Sequence, residues 1–138
     1  MNLGIDLDGT LIEDKNFFEW QLVDDVEHCL PELFEEGFKF HLITARESYY
    51  EDDTYDTISK IETELKVKFE TITLTNGENK CKYAHELQCK FMIDNTHQIL
   101  DDYLLYPSVT PILLSKKKHN VLTTFKNWIE IKNFLLDK

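Results

Sequence analysis

The sequence predicts an α/β fold of the three-layer, Rossmann-like type, with a mainly parallel sheet of about five strands between layers of helices. Short apolar runs alternate along the chain with longer amphipathic stretches, which is the pattern of β-α-β units. Polar residues stand directly after three of the apolar runs, as expected where parallel strands end at a ligand site. The length of 138 residues and the 42% hydrophobic content suit one domain, which we assign to residues 1–138.

The predicted elements follow one another with short connections. The first strand covers residues 3–7, and residues 12–22 are interpreted as a flap that carries Phe17, Phe18 and Trp20. These aromatic side chains either cover the edge of the core or stack on a ring of a ligand. Further strands are predicted at residues 38–44, 69–75, 90–95 and 109–114, and helices at about 24–36, 53–67, 80–87, 96–103 and 120–136. Pro111 indicates that the last strand lies at an edge of the sheet, since proline has no N–H to donate.

Two carboxylates, Asp6 and Asp8, stand where the first strand ends. Gly9 permits a turn whose backbone approaches a ligand closely, and Thr10 adds a hydroxyl group. Burying two carboxylates beside an apolar strand costs free energy unless positive charge lies close by. A divalent cation together with a phosphate offsets this cost, because hard cations prefer oxygen ligands. The turn therefore indicates a site for a metal ion and a phosphate.

The run Asp6–Thr10, Asp-Leu-Asp-Gly-Thr, resembles motif I of the haloacid dehalogenase (HAD) superfamily, Asp-x-Asp-Gly-Thr. The next apolar strand ends at Thr44, which is similar to motif II of that family. The resemblance implies that the Thr44 hydroxyl and the backbone N–H of Ala45 bind phosphate oxygens. Arg46 either binds the substrate or makes a surface salt bridge. The Thr-Ala-Arg-Glu run is similar to the 5′-nucleotidase and polynucleotide-phosphatase branches of the superfamily.

Motif III of the superfamily is a lysine near the start of a helix. Lys82 fits it best, because it precedes Asp94 by twelve residues, and Lys80 is the alternative. The chemistry needs an ammonium group that offsets the charge of the phosphate and of the nucleophile. Asp94 ends an apolar strand and resembles the magnesium-binding acid of motif IV. Asn95 stands where many nucleotidase-like members have a second acid, and one role open to its amide is to hold a metal-bound water.

The resemblance implies a phosphatase that works in two steps. Asp6 attacks phosphorus and forms an aspartyl-phosphate, while Asp8 protonates the leaving oxygen and then activates water. Mg²⁺ is expected at Asp6, the backbone carbonyl of Asp8 and Asp94. The two intervals in which family members carry cap insertions are short here, which implies a small or absent cap and an open site.

The substrate class stays open at this stage. The acidic charge favours a nucleotide or sugar phosphate, whereas an open site also suits a 3′-phosphorylated nucleic-acid end. The alternative from another class is a HAD-fold protein that binds or regulates without turnover. The intact Asp6, Asp8 and Lys82 argue against that alternative, and Asn95 argues for it.

Composition narrows the partners and the compartment. A net charge of −11 repels polyanions, so nucleic acid is disfavoured and a small phosphorylated molecule is the expected partner. The sequence has no stretch of 18 apolar residues, and the first strand begins at residue 2 or 3, so we expect neither a membrane span nor a signal peptide. Three cysteines without paired ligand spacing predict reduced thiols in a cytoplasmic protein. The oligomeric state is not determined by these features.

Overall fold

Eight strands and five α-helices make up the regular structure of the computed structural model, which describes residues 1–138 apart from the side chain of Asp101. The strands are β1 (Asn2–Ile5), β2 (Ile12–Asp14), β3 (Trp20–Leu22), β4 (Lys39–Thr44), β5 (Phe69–Leu74), β6 (Phe91–Asp94), β7 (Thr110–Leu114) and β8 (Thr123–Phe125). The helices are α1 (Val26–Glu35), α2 (Glu51–Leu65), α3 (Lys80–Glu86), α4 (Ile99–Tyr103) and α5 (Trp128–Leu136), and a 3₁₀ turn at Ser48–Tyr50 precedes α2. Most predicted bounds agree with the observed ones to within about three residues, because apolar periodicity defines the centres of elements better than their ends.

Six of the strands form one parallel sheet in the order β5-β4-β1-β6-β7-β8. In the middle of the sheet, Ile5 of β1 pairs with Leu42 of β4 and with Ile93 of β6. The carboxyl ends of these three strands therefore meet at one edge of the sheet, where an open α/β sheet forms its ligand crevice. The strands β2 and β3 form a separate antiparallel hairpin, which is the flap predicted from the sequence. The predicted fold class is confirmed, with six strands in place of about five.

Helices cover both faces of the sheet, because alternate residues of each strand point to opposite sides. The larger core lies between one face and α1, α2 and α5, and its central members include Leu3, Ile5, Leu30, Ile58 and Trp128. The smaller core lies on the other face, where Ile43 and Met92 pack against Ala84 of α3. The strand ends that carry the polar residues are therefore held by packed helices on both sides.

The prediction of one helix over residues 120–136 is wrong in its first half. Residues 123–125 form β8, and α5 begins only at Trp128. Thr123 and Thr124 are β-branched and suit a strand that pairs with β7. Asn127 then caps α5 by accepting a hydrogen bond of 2.9 Å from the backbone N–H of Glu130.

The edge position predicted from Pro111 is also wrong, because β7 lies between β6 and β8. The strand β8 pairs only with Ile112–Leu114, so Pro111 lies beyond the paired part of β8. The missing N–H of this proline therefore costs no hydrogen bond to that neighbour.

Two compositional expectations concern the thiols and the membrane. Cys29, Cys81 and Cys89 are all buried and unpaired. Burial raises the pKa of Cys81 and of Cys89 to about 12, so both thiols stay protonated at neutral pH. Among the described residues, no helix combines the length and the apolarity needed to cross a bilayer, and the longest, α2, has 15 residues.

Candidate active site

The turn after β1 directs the first carboxylate of the site. The backbone N–H of Asp6 donates to the carbonyl of Ile93 at 2.9 Å and continues the pairing of β1 with β6. Gly9 has a φ of 83°, a conformation that glycine adopts without strain. The Thr10 hydroxyl donates to Oδ2 of Asp6 at 3.0 Å, and the indole N–H of Trp128 donates to the Thr10 carbonyl at 2.8 Å. The sheet and α5 together therefore fix the direction of the Asp6 carboxylate.

Asp6 and Asp94 share one ammonium group. Lys80 Nζ lies 2.8 Å from Oδ1 of Asp6 and 2.7 Å from Oδ2 of Asp94, and both carboxylates are buried. Burial, and then the charge of Asp94, raise the pKa of Asp6 to about 7, while Lys80 and Thr10 act to lower it. Burial acts to lower the pKa of Lys80, but the two carboxylates together have the larger effect. The pKa of Lys80 is therefore raised, and the group stays protonated. Two ionised carboxylates with one ammonium leave excess negative charge, which a further cation would offset.

Lys80 is the lysine that reaches the carboxylates, so the preference for Lys82 from its spacing to Asp94 is wrong. Lys80 is the first residue of α3, directly after Asn79, whose side chain accepts two backbone N–H groups of the first turn. A residue two positions later is rotated by about 200° around the helix axis. Lys82 therefore points to solvent, with Nζ 5.6 Å from the ring centroid of Tyr83. Asn79, the capping residue, marks in the sequence where α3 starts. Lys80, at that start, faces the ends of the strands.

Three oxygen atoms meet at the side-chain amide of Asn95. With its nitrogen facing them, the amide donates to Oδ2 of Asp6 at 3.0 Å, to the carbonyl of Asp8 at 3.1 Å and to Oδ1 of Asp94 at 3.3 Å. Gly9 leaves room for this side chain, since a Cβ at that position would lie 2.7 Å from Cγ of Asn95. These direct contacts were not expected from the sequence, and the role of Asn95 in holding a metal-bound water stays a prediction.

These oxygens are the three that the sequence analysis named as magnesium ligands. Among the side chains that the structure describes, no group of three or more His, Cys, Asp or Glu is arranged to hold a metal ion. The donor set of Asp6, Asp94 and the Asp8 carbonyl mixes two carboxylates with a backbone oxygen. Carboxylate and carbonyl oxygens are ligands that hard cations prefer, so these residues fit a magnesium ion.

The carboxylate of Asp8 points away from Asp6 and Asp94 and binds Arg46. Arg46 donates from Nε to Oδ2 and from Nη2 to Oδ1 of Asp8, both at 2.9 Å. Its Nη1 donates to Asp53 at 3.3 Å and to the Thr54 hydroxyl at 3.1 Å, two contacts that the sequence analysis missed. Hydrogen bonding to Asp8 raises the pKa of Arg46 above its ordinary value, although burial acts to lower it. Arg46 therefore makes a salt bridge within the site, and its partner is a candidate catalytic residue.

The loop after β4 brings Thr44 and Ala45 to the same crevice. Thr44 is buried, and its hydroxyl accepts the backbone N–H of Arg46 at 3.3 Å. Ala45 lines a cavity of about 190 Å³ together with Lys80 and Asp94. The carbonyls of Thr44 and Ala45 accept the N–H groups of residues 75 and 77 at 2.8 Å and 3.0 Å, so the loop after β5 holds this loop in place. Ala45 and Lys80 therefore share one cavity beside Asp94.

The three aromatic side chains of the flap hairpin lie in two different environments. Trp20 is half-buried and packs against the larger core, as the core-covering interpretation predicts. Phe17 and Phe18 are 93% and 90% exposed and contact each other edge to face. All three line a groove of about 580 Å³ whose lining also includes Asp8 and Arg46. The two exposed rings therefore stand on the wall of a groove that leads to Asp8.

Three solved structures of other proteins share this architecture. The D,D-heptose 1,7-bisphosphate phosphatase from B. bronchiseptica, solved in complex with magnesium and phosphate, superposes with a TM-score of 0.72 at 13% identity, over 99% of each chain. A HAD-superfamily hydrolase from Ehrlichia chaffeensis gives a TM-score of 0.62 at 14% identity, over 90% of this chain and 62% of that one. A chain of the Pnkp1/Rnl/Hen1 RNA repair complex gives 0.57 at 19% identity, over 81% of this chain and 41% of its own length.

Comparison at the level of sequence finds no relative: no family model and no curated protein matches this chain. The likeness to the solved structures is therefore a likeness of fold. The chain is an α/β protein whose central strands carry carboxylates at their carboxyl ends. Its fold is shared with a HAD-superfamily hydrolase and with the heptose bisphosphate phosphatase, in agreement with the fold that the motifs imply.

Proposed function

We propose that this chain is a HAD-type phosphatase, a magnesium-dependent phosphomonoester hydrolase that works through an aspartyl-phosphate. The observation that carries the proposal is the buried cluster of Asp6, Asp94 and Lys80, joined by contacts of 2.7 Å and 2.8 Å. Burying this many charged groups costs several kcal/mol per ion before their attraction is counted, on the order of the stability of a small domain. Such clusters are typical of sites that perform chemistry. The fold supports the proposal, since a phosphatase complexed with magnesium and phosphate shares it.

Asp6 is the proposed nucleophile. One of its carboxylate oxygens forms a bond to phosphorus as the bond from phosphorus to the ester oxygen breaks. Lys80, the Thr44 hydroxyl and the backbone N–H of Ala45 bind the non-bridging oxygens, on which negative charge accumulates. Magnesium held by Asp6, Asp94 and the Asp8 carbonyl would supply positive charge that lowers the repulsion between the nucleophile and the phosphate.

Asp8 is the proposed general acid and base. Its carboxyl group gives a proton to the leaving ester oxygen in the first step and takes one from the attacking water in the second. Arg46 binds both oxygens of Asp8, so we assign Arg46 to orient this carboxylate rather than to bind the phosphate. Asp53 and Thr54 hold the guanidinium group in turn.

The proposed substrate is a nucleotide or sugar phosphate. The groove beside the hairpin is lined by five carboxylates, those of Asp8, Glu13, Asp14, Glu19 and Asp53, and its guanidinium group, Arg46, is already paired. This charge repels the further phosphates of a polynucleotide. The exposed faces of Phe17 and Phe18 offer contact area for a ring. A 3′-phosphatase that acts on nucleic-acid ends is the second candidate, favoured by the openness of the groove and by the shared fold of a chain from an RNA repair complex.

The test is the release of inorganic phosphate from a panel of esters, with Mg²⁺ or with EDTA. The panel contains 5′- and 3′-nucleotides, sugar phosphates, a 3′-phosphorylated oligonucleotide and an aryl phosphate. We expect Mg²⁺-dependent release by the wild type, none by Asp6→Asn, and wild-type rates for Asp137→Asn, which changes an exposed carboxylate after α5, outside the groove. A folded, metal-binding protein that releases phosphate from no ester would instead support the alternative of a binding or regulatory protein.

A further inference from the structure

A second cavity, of about 700 Å³, opens at the turn after β1. Gly9 and Asn95 line it, and the side chain of Asn95 contacts the carboxylates of Asp6 and Asp94. The fully buried Trp128 contributes an apolar surface to its lining. The volume is in the range of sites that hold small ligands. A substrate whose phosphate lies at Asp6 can therefore extend into this cavity.

Two lysines line the cavity, Lys116 after β7 and Lys126 after β8. The backbone N–H of Ser115 donates to the carbonyl of Phe125 at 2.9 Å, so the lysines that follow these two residues leave the sheet side by side. Both lie at the carboxyl ends of parallel strands, the edge at which open α/β sheets bind their ligands. The pairing of β7 with β8 therefore brings two lysines to one wall of the cavity.

These two lysines differ from the other cations of the site in their partners. Lys80 and Arg46 each pair with two carboxylates. Neither Lys116 nor Lys126 forms an ion pair with a side chain that the structure describes. An ammonium group offers three donors, and its hydrogen bonds to phosphate or carboxylate oxygens are stronger than those between neutral groups. The wall formed by Lys116 and Lys126 is therefore suited to an anionic group of a ligand.

We propose that this cavity holds the far end of the substrate, and that this end carries a second anionic group bound by Lys116 and Lys126. The second group is a phosphate or a carboxylate, since both present oxygens to the ammonium groups. The inference rests on the proposed function, which places the reacting phosphate at Asp6. It narrows the substrate to a small phosphate ester with an anionic group at each end.

The remaining charges of the cavity indicate what lies between the two ends. Three carboxylates also line the cavity, those of Glu13, Asp24 and Asp25. They belong to the hairpin and to the segment between β3 and α1, whereas the lysines follow β7 and β8, so the two charges come from different parts of the fold. Carboxylates accept hydrogen bonds from hydroxyl groups. Of the two proposed classes, the cavity therefore favours a polyhydroxylated sugar phosphate over a nucleotide.

Hydrolysis of matched esters tests the second anionic group. 6-Phosphogluconate and glucitol 6-phosphate share an open carbon chain and differ in a terminal carboxylate in place of a terminal alcohol. We expect kcat/KM with Mg²⁺ to be higher for 6-phosphogluconate by about tenfold to a hundredfold, the effect of hydrogen bonds to a charged group. Fructose 1,6-bisphosphate against fructose 6-phosphate makes the same comparison for a terminal phosphate, and the larger ratio identifies the anion that the cavity takes. Equal kcat/KM within both pairs would overturn the inference and leave the proposed function standing.

A matched pair of double variants assigns the preference to the two lysines. Lys116→Met combined with Lys126→Met should abolish the preference for the ester with the second anionic group. Lys117→Met combined with Lys118→Met removes the same charge from exposed lysines that are not part of the lining, and should keep the preference. Circular dichroism checks that both proteins fold. A preference that survives the first double variant, or that falls equally in both, would overturn the inference.

Binding measured without turnover separates this inference from the proposed function. A wild type that hydrolyses no ester would overturn the proposed function, and calorimetry of the same esters with Mg²⁺ then measures binding alone. Tighter binding of 6-phosphogluconate than of glucitol 6-phosphate, lost in the variant of Lys116 and Lys126, would leave the anion site of the cavity standing. Equal binding of the two esters would overturn it as well.

Discussion

Asp6 and Asp8 are two residues apart in the sequence, and the fold puts their carboxylates in opposite environments. Asp6 is 4% exposed and faces Lys80 and Asp94, and burial raises its pKa to about 7. The Asp8 side chain is 54% exposed and is held from outside by Arg46. A buried carboxylate of fixed direction suits a nucleophile, whereas an accessible one reaches a leaving oxygen and water. Two residues of the same type therefore lie in different surroundings, and the proposed function gives them different roles for that reason.

The largest predicted effects come from removing each of the two carboxylates in turn. Asp6→Asn should abolish turnover on every ester, because the covalent route is lost. Asp8→Asn should slow alkyl esters by about 10²–10⁴-fold, the usual contribution of a general acid or base. With an aryl phosphate, stopped-flow absorbance should show a burst of aryl alcohol equal to the Asp8→Asn enzyme concentration and none for Asp6→Asn. A burst from Asp6→Asn would contradict the assignment of the nucleophile.

The next prediction concerns the cation on the buried side. Lys80→Met should lower kcat/KM by roughly 10²–10³-fold, the cost of losing one donor to the reacting oxygens. Lys82→Met, on the same helix but exposed, is the matched control and should stay at the wild-type rate. Circular dichroism checks that both variants fold. Similar losses in the two variants would contradict the geometry of α3.

A smaller effect is expected on the exposed side, at Arg46. Arg46→Lys keeps the charge but not the two parallel hydrogen bonds to Asp8. We expect kcat for alkyl esters to fall by about tenfold to a hundredfold, because the acid is misplaced. The rate of the first step with aryl phosphates should fall less. KM should change little. A rise of KM at unchanged kcat would show that Arg46 binds the substrate instead.

The last prediction concerns the stability of the folded protein. The pKa of Asp6 is raised from its ordinary value of 3.8 to about 7 in the folded protein, so the folded state holds a proton that the unfolded state releases between these values. The resulting stabilisation is fully present below pH 3.8 and is lost as pH rises through about 7. In EDTA, the melting temperature of the wild type should therefore fall more between pH 5 and pH 8 than that of Asp6→Asn. Parallel curves for the two proteins would contradict the raised pKa.

The ends of the strands could be predicted from the sequence, because each strand is a short, continuous run of mainly apolar residues. Asp6, Thr44 and Asp94 each follow an apolar run, and parallel strands bring their carboxyl ends to one edge. At residues 120–127 the apolar pattern predicted a helix, but pairing with β7 makes part of this segment the strand β8. A strand of three residues carries too little periodicity to be recognised without that partner.

The sequence alone determined the α/β class, the strand ends and the two carboxylates of the first turn, because apolar periodicity and turn residues act over a few neighbouring positions. Only the tertiary structure decided that Lys80 reaches Asp6 and Asp94, that Arg46 binds Asp8, and that the amide of Asn95 meets three oxygens. These contacts join positions up to about ninety residues apart, and helix rotation and loop packing set them. Such distances are fixed by the packing of the whole sheet and its helices, which no local pattern records.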